Sequence, residues 1–464
     1  MINEHLLVFF LLIILVVQII TKKMSKNLTK LACLAIFCSY SYVSAQQKTT
    51  DSVVVEKVEL IQPRENKDKV DVQFYGFIRN DIFMDTRQMI GAGEALVPLY
   101  PKDRLSDVNG ADINAASKFH MLSIVSRAGV NLKGPELLGA KTSGILEGEF
   151  FGATEGGINE FRLRHAYVML DWEKTQLGIG QYWHPFVVLE ALPNVANYGT
   201  GAPVYALNRN PQVRLTHKFT DKFKVIAALH SQRDFTPNTE PFRNSGMPAA
   251  HLQFQYKSQV FTAGIGAQYE NLKPKLSSGN PPVKSNERVE NVSFMAYSKL
   301  NTKPLQVTFA GYLMQDASSF VQLGGIVGYQ TSPTAVETYK PMNTHSMWID
   351  LQQNSTGKFS FGLFAGYVRN NGVKNPVEGA IASISYGVTT NWGAISATPG
   401  TRTVNYLYKV VPRLDLTLSK ALKFRLEYDR STAQWADATI KGTGTENKYL
   451  ANNNRFQLTT LFNF

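Results

Sequence analysis

From Val72 to Phe464 the chain alternates: apolar and polar side chains trade places residue by residue over segments of about ten. Phe223, Val225, Ala227 and Leu229 alternate with Lys224, Ile226, Ala228 and His230. Phe359, Phe361, Leu363, Ala365 and Tyr367 share one face of another segment. This period of two predicts strands with one greasy face. Sixteen are expected, at 72–85, 118–132, 140–153, 160–172, 174–183, 211–219, 222–233, 249–258, 260–272, 289–300, 304–316, 343–353, 357–369, 402–418, 421–431 and 454–464.

The connections alternate too. Short ones include "TDKF", "NTKP" and "SKAL", and long ones cover 86–117, 184–210, 234–248, 273–288, 317–342, 370–401 and 432–453, with 154–159 as a short exception. A soluble sandwich has no reason to gather its long loops at one end, whereas an outer-membrane barrel has short turns inside and long loops outside. The last segment makes the same point. Phe456, Leu458, Thr460, Phe462 and Phe464 share a face up to the final residue, opposite Arg455, Gln457 and Thr459. In hydrocarbon every backbone polar group must be paired, so a spanning sheet closes on itself. The expected fold is therefore all-β: a 16-stranded antiparallel transmembrane β-barrel over 72–464, with its last strand closing against its first.

The first 45 residues read as a signal region. Leu6 to Ile20 is an apolar run broken only by Gln18. Met24 then opens a second pattern, with Lys26, Lys30, an apolar stretch from Leu31 and the small-residue site Val43–Ser44–Ala45. The expectation is a start at Met24, cleavage before Gln46 and a polar periplasmic lead-in over 46–71. A membrane anchor at Leu6–Ile20 is the alternative, although that run is short for a span of about 20 residues. Cys33 and Cys38 both fall in the signal region, so the mature chain offers no thiol chemistry. The formal charge of +12 becomes +9 once four lysines and one glutamate are removed with that region. On an exported chain this charge bears on small anions or anionic lipid.

Parity sorts the charged residues. On 118–132, Leu122, Ile124, Ala128, Val130 and Leu132 are assigned to the lipid face, which turns Arg127 inward. On 140–153, Leu146, Gly148 and Phe150 face out, and Glu147 and Glu149 face in. On 160–172, Leu163, Tyr167 and Met169 face out, with His165 on the same side, so Arg162 and Arg164 face in. An arginine on the lipid side at mid-membrane would cost about 2–4 kcal/mol. Arg214, Lys218, Lys224, Arg413 and Arg425 are further lumen candidates. Arg–Glu neighbours on adjacent strands can also simply pair, and a water-filled lumen tolerates such pairs.

"SRAGVNLKGPELLGAKTSGILEGEFF" (126–151) and "FRLRHAYVMLDWEKTQLGIGQ" (161–181) resemble the Gram-negative trimeric porins. The resemblance implies that the loop after the fifth strand, 184–210, folds inward and narrows the pore opposite a basic wall. This loop lacks the family's Pro-Glu-Phe-Gly-Gly-type motif, has Glu190 as its only acid and also carries Arg209. A less acidic, more apolar constriction is expected, in which Arg127, Arg162 and Arg164 face Glu147, Glu149 and Glu190.

The implied function is passive diffusion of small hydrophilic solutes with a mild anion preference, by a homotrimer in outer-membrane lipid and lipopolysaccharide. A substrate-specific phosphate or organic-anion channel, or a plugged barrel acting as an adhesin, are the alternatives. Glu147 and Glu149 are spaced for two-carboxylate chemistry, but no catalytic motif accompanies them. The histidines are scattered, and no cofactor, metal set or nucleic-acid module is expected.

Overall fold

The computed structural model describes residues 69–152, 156–234, 239–386 and 401–464. The expected signal region and most of the expected lead-in lie outside the described residues. The first half of the barrel comprises β1 (Asp71–Asp85), β2 (Lys118–Leu122 continued by Arg127–Leu137), β3 (Ala140–Phe150), β4 (Phe161–Asp171), β5 (Thr175–Trp183), β6 (Arg209–Lys218), β7 (Phe223–His230) and β8 (Ala249–Lys257). The second comprises β9 (Phe261–Leu272), β10 (Val289–Asn301), β11 (Leu305–Gln315), β12 (Thr338–Gln353), β13 (Phe359–Val373), β14 (Arg402–Thr417), β15 (Leu422–Ala438) and β16 (Gly444–Asn463). Neighbours pair antiparallel, and β16 closes on β1 from Phe77 opposite Asn463 to Asp85 opposite Arg455.

Closure extends to the last residue. The backbones of Gly76 and Phe464 exchange hydrogen bonds of 3.2 and 3.1 Å. A Cβ on Gly76 would stand 2.3 Å from the Arg127 carbonyl oxygen and 2.6 Å from the Phe464 ring, so only glycine lets the terminal aromatic lie there. Phe456, Leu458 and Phe462 point outward, while Arg455, Gln457 and Thr459 are buried inside.

The outer face is apolar nearly all round. Leu146, Val168, Ile179, Val213, Ile265, Leu313, Phe361 and Leu426 are exposed. A continuous apolar belt is untenable in water and is satisfied by lipid. Among the described residues no helix is long and apolar enough to cross a membrane; the strands do so.

Three expectations about the strands need correction. Residues 432–453 are not a long loop: β15 and β16 run on beyond the barrel and meet at 439–443. Outside the hydrocarbon the outer face need not be greasy, so the alternation disappears while the strand continues. In β2, Leu122 pairs with Asp81 and Arg127 with Phe77, so residues 123–126 face only 78–80. The extra residue breaks the strand and turns Ile124 into the interior rather than toward lipid, together with Val125. Before the break the phase is reversed, with Phe119 and Met121 outward and His120 inward.

The third correction is in β4. Glu147 lies opposite His165 and Gly148 opposite Leu163, which leaves Arg164 as a bulge. Arg164 and His165 therefore both point inward, and the phase flips beyond them. Tyr167 is buried and Val168 is exposed, the reverse of the simple alternation.

Candidate functional site

The site starts from strand alternation. Leu146 and Phe150 anchor the lipid face of β3, so Glu147 and Glu149 must point inward, where both are buried. Arg164, brought inside by the bulge, sits between them: its Nε donates to Glu147 at 2.8 Å and its Nη1 to Glu149 at 2.6 Å. Arg127 on β2 donates to Glu149 at 3.1 Å. Arg162 reaches Glu149 at 3.5 Å and Asp234 at 3.5 Å. Arg209 bonds Asp234 at 2.8 Å and lies 3.9 Å from Glu149. His165 and Tyr75 complete the shell of Glu147, each at 3.0 Å.

Among these described residues four arginines meet three carboxylates, so the cluster has a surplus positive charge. Aromatic rings back the guanidinium groups. Arg127 lies over Phe77, Arg162 over Phe151, and Arg164 and Arg209 lie 5.3 and 5.2 Å from the Trp183 ring. Cation–π contacts of this kind hold arginines in place while leaving their charge unneutralised. Arg127 and Arg162 keep 19% and 17% of their side-chain surface open, whereas Arg164 keeps 3%.

The strand pattern did not point to Arg209, Asp234, Tyr75, Tyr198 or Trp183 as partners. Arg209 opens β6 beside the cluster, a placement its position just before a predicted strand could have suggested. Asp234 lies in a loop, where no periodicity marks it.

Segment 184–208 folds into the barrel and crosses it. It leaves β5 with the His184 N–H on the Asn208 carbonyl at 3.1 Å. Asn194 meets Asp350 of β12 and Arg425 of β15. The Ala196 and Asn197 N–H groups donate to Glu427 of β15 at 2.5 and 3.3 Å, and Arg79 of β1 donates to the Ala196 carbonyl. The chain then returns past Tyr198, whose hydroxyl accepts from Arg164 at 2.5 Å.

Glu190 does not join the arginine cluster. It pairs with Lys224 at 3.0 Å and Gln255 at 3.3 Å, because the loop carries it toward β7 and β8. Burial pushes its carboxyl up, but Lys224 and these hydrogen bonds more than offset that and hold it below its ordinary value. The arginines and Glu147 and Glu149 thus pair along one wall rather than facing each other across the pore.

The other basic candidates divide. Arg413 makes two 2.8 Å bonds to Asp350, Arg425 pairs with Asp415, and Arg214 donates to Gln212 at 2.8 Å; Lys218 is exposed at the turn end. Sequence spacing scatters the histidines, yet His184 and His230 meet Nε2 to Nε2 at 3.2 Å, with the His251 ring edge-on to His184 at 5.7 Å. Burial, then His230, His251 and Arg214, holds the His184 imidazole well below its usual range, so it is neutral. Among the described residues no three His, Cys, Asp or Glu are placed to hold a metal.

Two more segments join the loop inside the long-loop end. The hairpin Met89–Ala92/Val97–Pro101 and residues 317–323 pack with it into an apolar core that includes Leu99, Tyr205, Phe320, Trp348 and Phe364. The Phe320 carbonyl accepts the Leu207 N–H at 3.1 Å.

Residues 52–275 match the model of the family described as DcaP outer membrane protein. The outer membrane channel DcaP of Acinetobacter baumannii superposes with a TM-score of 0.61 at 15% identity, covering 85% of this chain and 97% of that one. The outer-membrane OmpT of Vibrio cholerae superposes with a TM-score of 0.50 at 12% identity, covering 87% and 99%. The chain is a β-barrel of the bacterial outer membrane. No curated protein matches it. In this barrel the seven short turns and both described ends lie at the periplasmic rim, and the long loops lie outside.

Proposed function

We propose that this porin lets small hydrophilic solutes diffuse through a lumen narrowed by segment 184–208, with a preference for anions. The observation that carries this reading is the arginine pair Arg127 and Arg162, which keeps 19% and 17% of its side-chain surface open at the edge of a cluster with surplus positive charge. A fixed cationic wall raises the local concentration of anions in a low-dielectric-walled pore. Glu147 and Glu149 orient the arginines without cancelling the whole cluster. We also propose a homotrimer embedded in lipid and lipopolysaccharide, and removal of the signal region before Gln46. Planar-bilayer recording under a salt gradient tests the reading: anion-selective steps in groups of three support it.

A specific observation favours a second reading. The apolar core formed by 89–101, 184–208 and 317–323 has the character of a plug. A barrel closed by it would act through its outer loops, and correctly folded protein without conductance would establish this.

A further inference from the structure

We propose that Glu270, Asp316 and Asn291 form a calcium site that ties the inward segment 317–323 to the barrel wall. Glu270 of β9 and Asp316, the residue after β11, are each 3% exposed. Asn291 of β10 lies directly opposite Glu270 and is 1% exposed. Its Nδ2 stands 3.3 Å from a Glu270 oxygen and 3.5 Å from an Asp316 oxygen, so one amide head lies between two buried carboxylates.

Several other buried carboxylates in this barrel have cationic partners: Glu149 has arginines, Asp350 has Arg413 and Asp85 has Arg455. Glu270 and Asp316 do not. Their neighbours are neutral: Gln268 at 2.8 Å for Glu270, and the Ser318 N–H and hydroxyl at 3.3 and 2.5 Å for Asp316. Among the described residues no Lys, Arg or His forms an ion pair with either. Two like charges removed from water without a counter-charge are strongly unfavourable.

The Asn291 amide supplies a second, independent sign. Its Oδ1 is buried and has no hydrogen-bond partner, an uncommon state for a native interior. Without a cation the carboxylates attract the NH₂ side of this amide. Turned over, the same head would present Oδ1 to the space between them, and N and O of an amide are exchanged by a simple flip. Two carboxylates, an amide oxygen and the Ser318 hydroxyl make a hard, all-oxygen set. Calcium accepts such oxygens in irregular number and geometry, whereas magnesium demands an octahedron and sheds its waters reluctantly, which suits a buried cleft poorly. The two carboxylates balance one dication.

The link to the constriction is short. Asp316 begins the turn that carries Phe320, and the Phe320 carbonyl holds Leu207 at the return of the crossing loop. A bound cation would fix this chain of contacts to β9 and β10.

The test uses the full barrel, refolded from denaturant so that it carries no lipopolysaccharide, and stripped with chelator. Calcium chloride is titrated by calorimetry, and the thermal midpoint is followed with calcium, with magnesium and with neither. The expected result is saturable binding of one calcium per chain and a raised midpoint that magnesium reproduces weakly. Both should be lost in Glu270→Gln with Asp316→Asn, whose midpoint without calcium should equal or exceed that of the wild type. Asp316 has φ of 54°, a conformation asparagine adopts readily, so Asp316→Asn alone serves if the double variant fails to fold. Absence of stoichiometric binding by the wild type, or an equal calcium response in the variants, would overturn the proposal. These readouts do not depend on conduction, so they stand apart from the channel reading.

Discussion

The Glu427 carboxylate accepts the Ala196 N–H at 2.5 Å across 231 residues of sequence. This contact joins the tip of the crossing segment to the wall opposite its root. Glu427 also takes the Asn197 N–H, and Arg79 holds the Ala196 carbonyl. The constriction is therefore latched at both sides of the lumen rather than hung from one.

Glu427→Ala should release this latch. Hydrogen bonds to a charged acceptor contribute about 1.5–3 kcal/mol each, so local opening of residues 194–197 should become easier by about that amount. Hydrogen–deuterium exchange would detect faster exchange at Ala196 and Asn197, with the barrel strands unchanged. Unchanged protection at these two amides would contradict the latch.

Glu149 holds the arginine cluster together. Glu149→Gln leaves Arg127, Arg162, Arg164 and Arg209 with less negative charge among them. Breaking one side of a buried ion network typically costs about 3–5 kcal/mol. Urea unfolding of the refolded barrel should show a loss of this size. The same change at exposed Glu173 should have little effect.

The Glu190 anchor has a defined pH dependence. Its carboxyl is held below the ordinary value of 4.5 in the folded protein, so the folded state favours the ionised form. The pair with Lys224 contributes stability above pH 4.5, and this contribution is lost as the pH falls through the lower folded value. Glu190→Gln should flatten the acid limb of stability. An equally steep loss in the variant would remove Glu190 from the account.

Gly76→Ala should impair closure, because the new methyl meets the Arg127 carbonyl and the Phe464 ring. The folded fraction, read as heat-modifiable mobility on a gel, should fall. A comparable substitution at Gly357, where a Cβ meets only the Ser355 hydroxyl at 3.5 Å, should leave it unchanged.

Strand alternation made the barrel legible because lipid enforces it: Leu146 and Phe150 face out only if Glu147 and Glu149 face in. The same rule fails where one extra residue enters. Arg164 and His165 both point inward through a bulge, and Ile124 turns inside through another; neither leaves a mark in a period of two. Beyond the membrane the rule does not apply, so the tops of β15 and β16 resemble loop. Glu190 was misplaced for a different reason. A loop's path depends on its contacts, here with Lys224 and Gln255, and spacing does not encode those.

The most direct test of the central claim is the reversal potential of single channels under a salt gradient, compared between the wild type and Arg162→Glu. Arg162 is the better choice than Arg164, which is buried among both glutamates and holds the fold. The account predicts open channels with an anion-selective potential in the wild type and a shift toward cations in the variant. Folded barrels without conductance, or identical potentials for the two proteins, would contradict it.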